Sequence, residues 1–155
     1  MRKLLVILAA SVFLNLAHAV EADWMTKFPD AKKKAKEENK RVLILFTGSD
    51  WCPMCKLWDK EVFDDPAFQS YAKTNLVLVM ADFPEKRPLP RAQQRANDAL
   101  RDKYDPKEFP EAVLLDSNAK KVIGRLRYEP GGLPRFLKFL NGEKIESTLD
   151  KPETK

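Results

Sequence analysis

An α/β fold, with a central mixed four-stranded sheet and helices on both faces, is predicted by three observations. Two apolar runs rich in strand formers, Arg41–Thr47 and residues 76–81, have the length and composition of buried central strands. Segments with helical spacing stand around and between them, so the first two strands should run parallel through a right-handed crossover. A tight turn, Asp116-Ser117-Asn118-Ala119, joins two further strands, which should therefore be antiparallel.

Residues 1–19 are set apart from that fold. Arg2 and Lys3 form a basic start, residues 4–17 are apolar except Ser11 and Asn15, and Ala17-His18-Ala19 offers the small residues a signal peptidase needs. The expected mature chain begins at Val20, with a single domain over 20–142 and a polar tail over 143–155. The apolar stretch is short of the roughly 20 residues a membrane anchor wants. Two of the 28 basic residues leave with this leader and none of the 23 acids does, which brings the net charge to about +3. The signs are interspersed, without the basic stripe and aromatics of a nucleic-acid surface. His18, the only histidine, leaves too. Cleaved in this way, the chain has no means of Ser-His or Cys-His catalysis and no His-containing zinc site.

Residues 24–40 read as a first helix, with Asp30 able to cap the lysine- and alanine-rich stretch 31–38. Strand Arg41–Thr47 follows, then a helix over about 52–62 with Asp50 or Ser49 as its cap. Asp65-Pro66 has the form of a fresh helix start, cap followed by proline, carrying the chain to about Lys73. The second strand is 76–81, and 82–90 is a loop punctuated by Pro84, Pro88 and Pro90. In Arg91–Tyr104, Ala92, Ala96, Leu100 and Tyr104 recur every fourth residue as one apolar stripe. Strands over 112–115 and 122–128 precede a last helix opened by Gly131-Gly132. Leu133, Phe136, Leu137 and Leu140 are its core face, and Asn141-Gly142 ends it.

The chemistry should lie at Trp51-Cys52-Pro53-Met54-Cys55, which holds the only two cysteines. Positions i and i+3 share a helix face, so the two sulfurs can reach disulfide distance if the helix begins at Cys52. Strand, short polar turn and Cys-x-x-Cys at a helix start is the arrangement of a redox dithiol. Outside the cytoplasm a cysteine pair is more often structural, but a three-residue separation constrains the unfolded chain little. Free cysteine, with a pKa near 8.5, is mostly protonated at neutral pH, and a helix start favours its ionised form. Cys52 should attack a substrate disulfide and Cys55, one turn further in, should resolve the mixed disulfide. This exchange needs sulfurs that solvent can reach. Asp82, Glu61 and Asp116 read as solvated or capping carboxylates.

These residues resemble the thioredoxin superfamily, specifically its exported thioredoxin-like proteins with an F-T-G-S-D-W-C-x-x-C active site. Phe46-Thr47-Gly48-Ser49-Asp50-Trp51-Cys52-Pro53-Met54-Cys55 fits that pattern residue for residue. Weaker echoes follow in order: Val79 to Pro84 after the second strand, Lys103-Tyr104 ending a helix, and Phe109-Pro110 before Val113-Leu114-Leu115-Asp116. The likeness spans roughly 24–142. It implies a thioredoxin-like fold and a thiol-disulfide oxidoreductase, more a reductase than an oxidase, that needs no cofactor or metal. Pro110 matches a cis-proline that lies against the dithiol, where the neighbouring backbone holds an extended substrate. Trp51, Phe109 and Pro110 are the implied substrate-binding residues; Trp51 also has a plain packing reading, and Pro106 is the competing proline. The implied partners are protein disulfides or dithiols and a membrane electron donor, met by a monomer in the periplasm or outside the cell.

Three departures from the family pattern bear on function. Leu45 stands where many members bury an acid that accepts the resolving cysteine's proton. Glu111 follows the proline where threonine is common, and a carboxylate near the sulfurs would disfavour the thiolate. This makes Glu111 a candidate modulator of the cysteine pKa that favours basic substrates. Pro53-Met54 does not assign the direction of electron flow. Two alternatives stay open: a Cu(I) module using both cysteines and the Met54 thioether, and a non-catalytic interaction domain with a closed disulfide.

Overall fold

A computed structural model describes residues 22–145, so the leader, its cleavage site and the end of the tail lie outside the described residues. The elements run β1 Trp24–Met25, α1 Phe28–Glu38, β2 Arg41–Thr47, α2 Pro53–Trp58, α3 Pro66–Asn75, β3 Leu76–Asp82, α4 Arg91–Tyr104, β4 Glu111–Leu115, β5 Val122–Arg127 and α5 Gly132–Leu140. A π-helical turn over Asp59–Phe63 extends α2. The sheet order is β1-β3-β2-β4-β5, with β1, β3 and β2 parallel and β4 and β5 antiparallel.

The sheet therefore has five strands where four were expected. The added strand, β1, is two residues long and pairs Trp24 with Leu78 and Met25 with Val79. It also corrects the first helix, which begins at Phe28 rather than at residue 24, with Pro29 in its first turn and Lys27 at the cap. Asp30 stays inside the first turn, where its charge suits the helix dipole but caps nothing. So short a strand carries no periodicity; the open edge of β3 and the edge-on contact of Trp24 with Phe63, centroids 5.3 Å apart, hold it.

β2 is buried on both faces because it separates two apolar cores. On one face Leu43 and Leu45 pack with Trp58, Val62, Phe63, Phe68 and Phe136 beneath α2, α3 and α5. On the other, Val42, Ile44 and Phe46 pack with Ala31, Ala35, Leu100 and Tyr104 beneath α1 and α4. Each of the Val, Leu, Ile and Phe side chains among them contributes about 1.5–3 kcal/mol on full burial. That burial fixes β2, and with it the turn at its carboxyl end. There β2 lies between a parallel neighbour, β3, and an antiparallel one, β4. Open α/β sheets bind their ligands outside the carboxyl ends of their strands, which is where the turn after β2 lies.

Candidate active site

The chain leaves β2 at Thr47 and turns tightly before α2. Gly48 O accepts the N–H groups of Cys52 at 2.9 Å and Trp51 at 3.3 Å. The helix is capped by Cys52 itself, correcting the expectation of Asp50 or Ser49: its Sγ accepts the Cys55 N–H at 3.1 Å, and Pro53 takes the first turn, where no N–H is needed. The other two side chains reach outward to the neighbouring loop. Ser49 donates its N–H and hydroxyl to Asp82 at 2.9 and 2.6 Å. Asp50 accepts the backbone N–H groups of Glu85, Lys86 and Arg87 at 2.9, 2.8 and 3.1 Å. Burial pushes the Asp50 carboxyl up, but these three donors outweigh it and hold it below the ordinary aspartate value. Asp82, read from sequence as a solvated or capping carboxylate, accepts both donors of Ser49 at the turn beside the dithiol.

Cys52 and Cys55 form a disulfide with Cα atoms 5.3 Å apart. The Gly48 N–H points at Cys55 Sγ from 3.4 Å. Cys52 Sγ lies 3.7 Å from the carbonyl oxygen of Phe109, and the Phe109–Pro110 peptide is cis. The structure thus brings Trp51, Cys52, Cys55, Phe109 and Pro110 together across 57 residues of chain. The sulfurs are less open than the sequence reading required. Cys52 is only 3% exposed and Cys55 1%.

Aromatic side chains gather next to the pair. Trp51 is 38% exposed, its indole N–H donates to Phe83 O at 2.8 Å, and its ring centroid is 6.2 Å from that of Phe109. Phe83 stacks on Phe109 at 5.2 Å, and the Arg101 guanidinium lies over Phe83 at 5.1 Å. Gly48 makes the tryptophan's position feasible: a Cβ there would come within 2.6 Å of Trp51 Nε1. Phe83 was quoted in the sequence resemblance without a role, because its stacking partner lies on another loop.

An acidic residue that the sequence reading did not single out stands close in the chain to the dithiol. Asp59, which opens the π-helical turn four residues after Cys55, donates its backbone N–H to the Cys55 carbonyl. Burial, reinforced by the charges of Asp64 and Asp82, pushes its carboxyl up to about 6. The signal was available as an acid four residues after Cys55, which is the next position on the same helix face. Leu45, by contrast, is wholly buried in the apolar core, so no acid occupies that strand position.

Glu111 is not brought to the sulfurs. It is 2% exposed and pairs across the sheet with Phe46, whose side chain packs in the α1/α4 core, on the face away from α2. Its carboxylate accepts from Arg125 at 2.6 Å and from the Lys107 N–H at 3.0 Å. The expectation of a bare carboxylate beside the dithiol is corrected by strand alternation, which sends residues 111 and 112 to opposite faces. Met54 is 44% exposed on α2 while Cys55 is buried, so the three sulfur groups are not gathered into one ligand set. Among the described residues, no helix is long and apolar enough to cross a membrane.

Residues 28–139 match the family model described as a thioredoxin-like domain. The chain is 32% identical over 131 residues to the disulfide bond reductase DsbH of Chlamydia pneumoniae, covering 84% of this chain and 75% of that protein. A solved structure named DsbH oxidoreductase superimposes with a TM-score of 0.72 at 29% identity, over 83% of this chain and 90% of that one. A thioredoxin from Thermus thermophilus, with a TM-score of 0.60 at 22% identity over 78% and 85%, shares the fold.

Proposed function

The chain belongs to the thioredoxin-like domain family and is a thiol-disulfide oxidoreductase, and on that premise we propose that it works as an exported reductase of protein disulfides. The observation that carries this reading is the Cys52–Cys55 pair at the start of α2, set against the Phe109–Pro110 backbone. Its likeness to a disulfide bond reductase supports the direction of electron flow.

The Cys55 N–H, which points at Cys52 Sγ from 3.1 Å in the disulfide form, would favour the Cys52 thiolate once the pair is reduced. That thiolate attacks one sulfur of the substrate disulfide; a Cys52–substrate bond forms, the substrate bond breaks, and the departing sulfur takes a proton. Cys55 then gives up its proton and attacks Cys52 Sγ, closing the intramolecular disulfide and releasing the second substrate thiol. Two electrons pass from the dithiol to the substrate. To Asp59, four residues after Cys55 along the helix, we assign acceptance of the resolving proton, its carboxyl being ionised above about pH 6. With Cys52 only 3% exposed, entry requires the rim around it to yield, and Trp51 is held there by one hydrogen bond and a tilted contact with Phe109. Trp51, Phe109 and Pro110 then flank the extended substrate segment.

A donor outside this chain must restore the dithiol; a membrane electron donor serves a protein whose residues 1–19 are a signal peptide. Residues 20–142 are the working domain, a monomer in the periplasm or outside the cell, and 143–155 are a polar tail. Insulin reduction with dithiothreitol tests the chemistry: wild type should accelerate it and Cys52→Ser should not. Equilibration against a glutathione series tests direction. A couple near the roughly −270 mV of thioredoxin supports a reductase, and one near the roughly −120 mV of a strong oxidant overturns it.

A further inference from the structure

We infer that Glu111 and Arg125 are positioning residues that staple the substrate-binding backbone of Phe109–Pro110 to the sheet. This inference rests on the proposal that Phe109 and Pro110 flank the substrate. The loop from Tyr104 to Glu111 joins α4 to β4 and carries both residues. Its two ends converge on one buried carboxylate. Glu111 Oε2 accepts the Lys107 N–H from inside the loop, and Oε1 accepts Arg125 Nη1 from β5. Arg125 Nη2 in turn donates to the carbonyl of Tyr104, the last residue of α4, at 2.6 Å. One guanidinium and one carboxylate therefore tie the loop's beginning, its middle and its exit to the strand pair β4–β5.

The placement has consequences for binding that it does not have for sulfur chemistry. Glu111 and Arg125 sit on the sheet face away from α2, and the positive guanidinium offsets the carboxylate charge. The staple can reach the reaction only by fixing where the Phe109 carbonyl lies relative to Cys52 Sγ. Hydrogen bonds to charged groups are the stronger ones, and here the accepting carboxylate is buried while the Arg125 side chain stays 41% exposed. Loosening the staple would blur the backbone template that an extended peptide must match, a loss of uniform binding rather than of transition-state chemistry.

The test compares wild type, Glu111→Gln and Glu111→Ala, with folding checked by circular dichroism. Three readouts are taken: KM and kcat for a peptide disulfide, the rate with a small aromatic disulfide that needs no backbone groove, and amide exchange at residues 107–109. Glu111→Ala should raise the peptide KM about ten-fold, consistent with losing a charged hydrogen bond. The kcat, the small-disulfide rate and the Cys52 pKa should stay within about two-fold of wild type in rate or equilibrium terms. Glu111→Gln, which keeps one acceptor oxygen, should fall between. Amide exchange at residues 107–109 should quicken in the same order. An unchanged KM with unchanged exchange overturns the inference, as does a shifted Cys52 pKa or a small-disulfide rate that falls in parallel. If wild type reduces no disulfide, the functional reading fails, while the exchange comparison still decides whether the staple holds the loop.

Discussion

Replacing Asp59 by asparagine should make the protein more stable at neutral pH while slowing its chemistry. The carboxyl is raised from 3.8 to about 6, chiefly by burial and then by Asp64 and Asp82. For a wholly shielded group that difference corresponds to about 3 kcal/mol; Asp59 is only half-buried, so solvent screening brings it to about 1–2 kcal/mol. The sign follows from proton binding. Between about pH 4 and 6 the folded state holds a proton that the unfolded chain has released, so stability is full below about pH 4 and is lost as pH rises through about 6. Asparagine has no such loss. Urea unfolding of the oxidised protein at about pH 4 and about pH 7.5 should show Asp59→Asn matching wild type at the lower pH. At the higher pH its midpoint should lie about 0.5–1 M above, for a slope near 2 kcal/mol/M. Resolution of a Cys52-linked mixed disulfide at about pH 7.5 should be slower by at least about ten-fold, short of the hundred-fold common for a positioned base because water can substitute. An identical gap at both pH values would refute the raised carboxyl, and an unchanged resolution rate would remove Asp59 from the proton route.

Gly48→Ala should displace the Trp51 ring, since the new Cβ would collide with the indole and break its bond to Phe83 O; a shift in tryptophan emission with altered peptide KM is the expected signature. Asp50→Ala should leave three backbone donors unpaired, so amide exchange at Glu85, Lys86 and Arg87 should quicken while exchange in β2 does not. Because the Asp50 carboxyl is held low, its contribution in wild type is present at neutral pH and lost on acidification, which comparison of the same amides at about pH 3 and about pH 7 would reveal. Phe136→Ala should cost about 3–5 kcal/mol in unfolding experiments, because its ring is fully buried against Trp58, Phe63 and Phe68 beneath the active-site helix.

The elements that burial writes into local spacing were legible. β2 and β3 read as strands because both faces are buried, Arg91–Tyr104 read as a helix to the residue, and Asp65-Pro66 marked the start of α3. The π-helical turn after Trp58 and the strand at Trp24–Met25 were not legible, since one is a change in hydrogen-bond step within a continuous helical pattern and the other exists only through β3. At the site, the cysteines and Phe109–Pro110 were found from motif and order. The roles of Asp50 and Phe83 were missed because their partners lie on other loops of the chain.

The amino-acid sequence by itself determined the alternation of strands and helices, the cysteine pair at a helix start and the absence of an acid at Leu45. These depend on spacings of two to four residues, which the backbone periods translate directly into faces. Only the tertiary structure decided what surrounds the sulfurs: the Phe109 carbonyl beside Cys52, Asp59 half-buried near Asp64 and Asp82, and Glu111 turned to the far face with Arg125. The charge on a side chain is local knowledge, but its effect on a thiol depends on distance and shielding. Both are set by which strand packs beside which and by the face each residue takes in the assembled sheet.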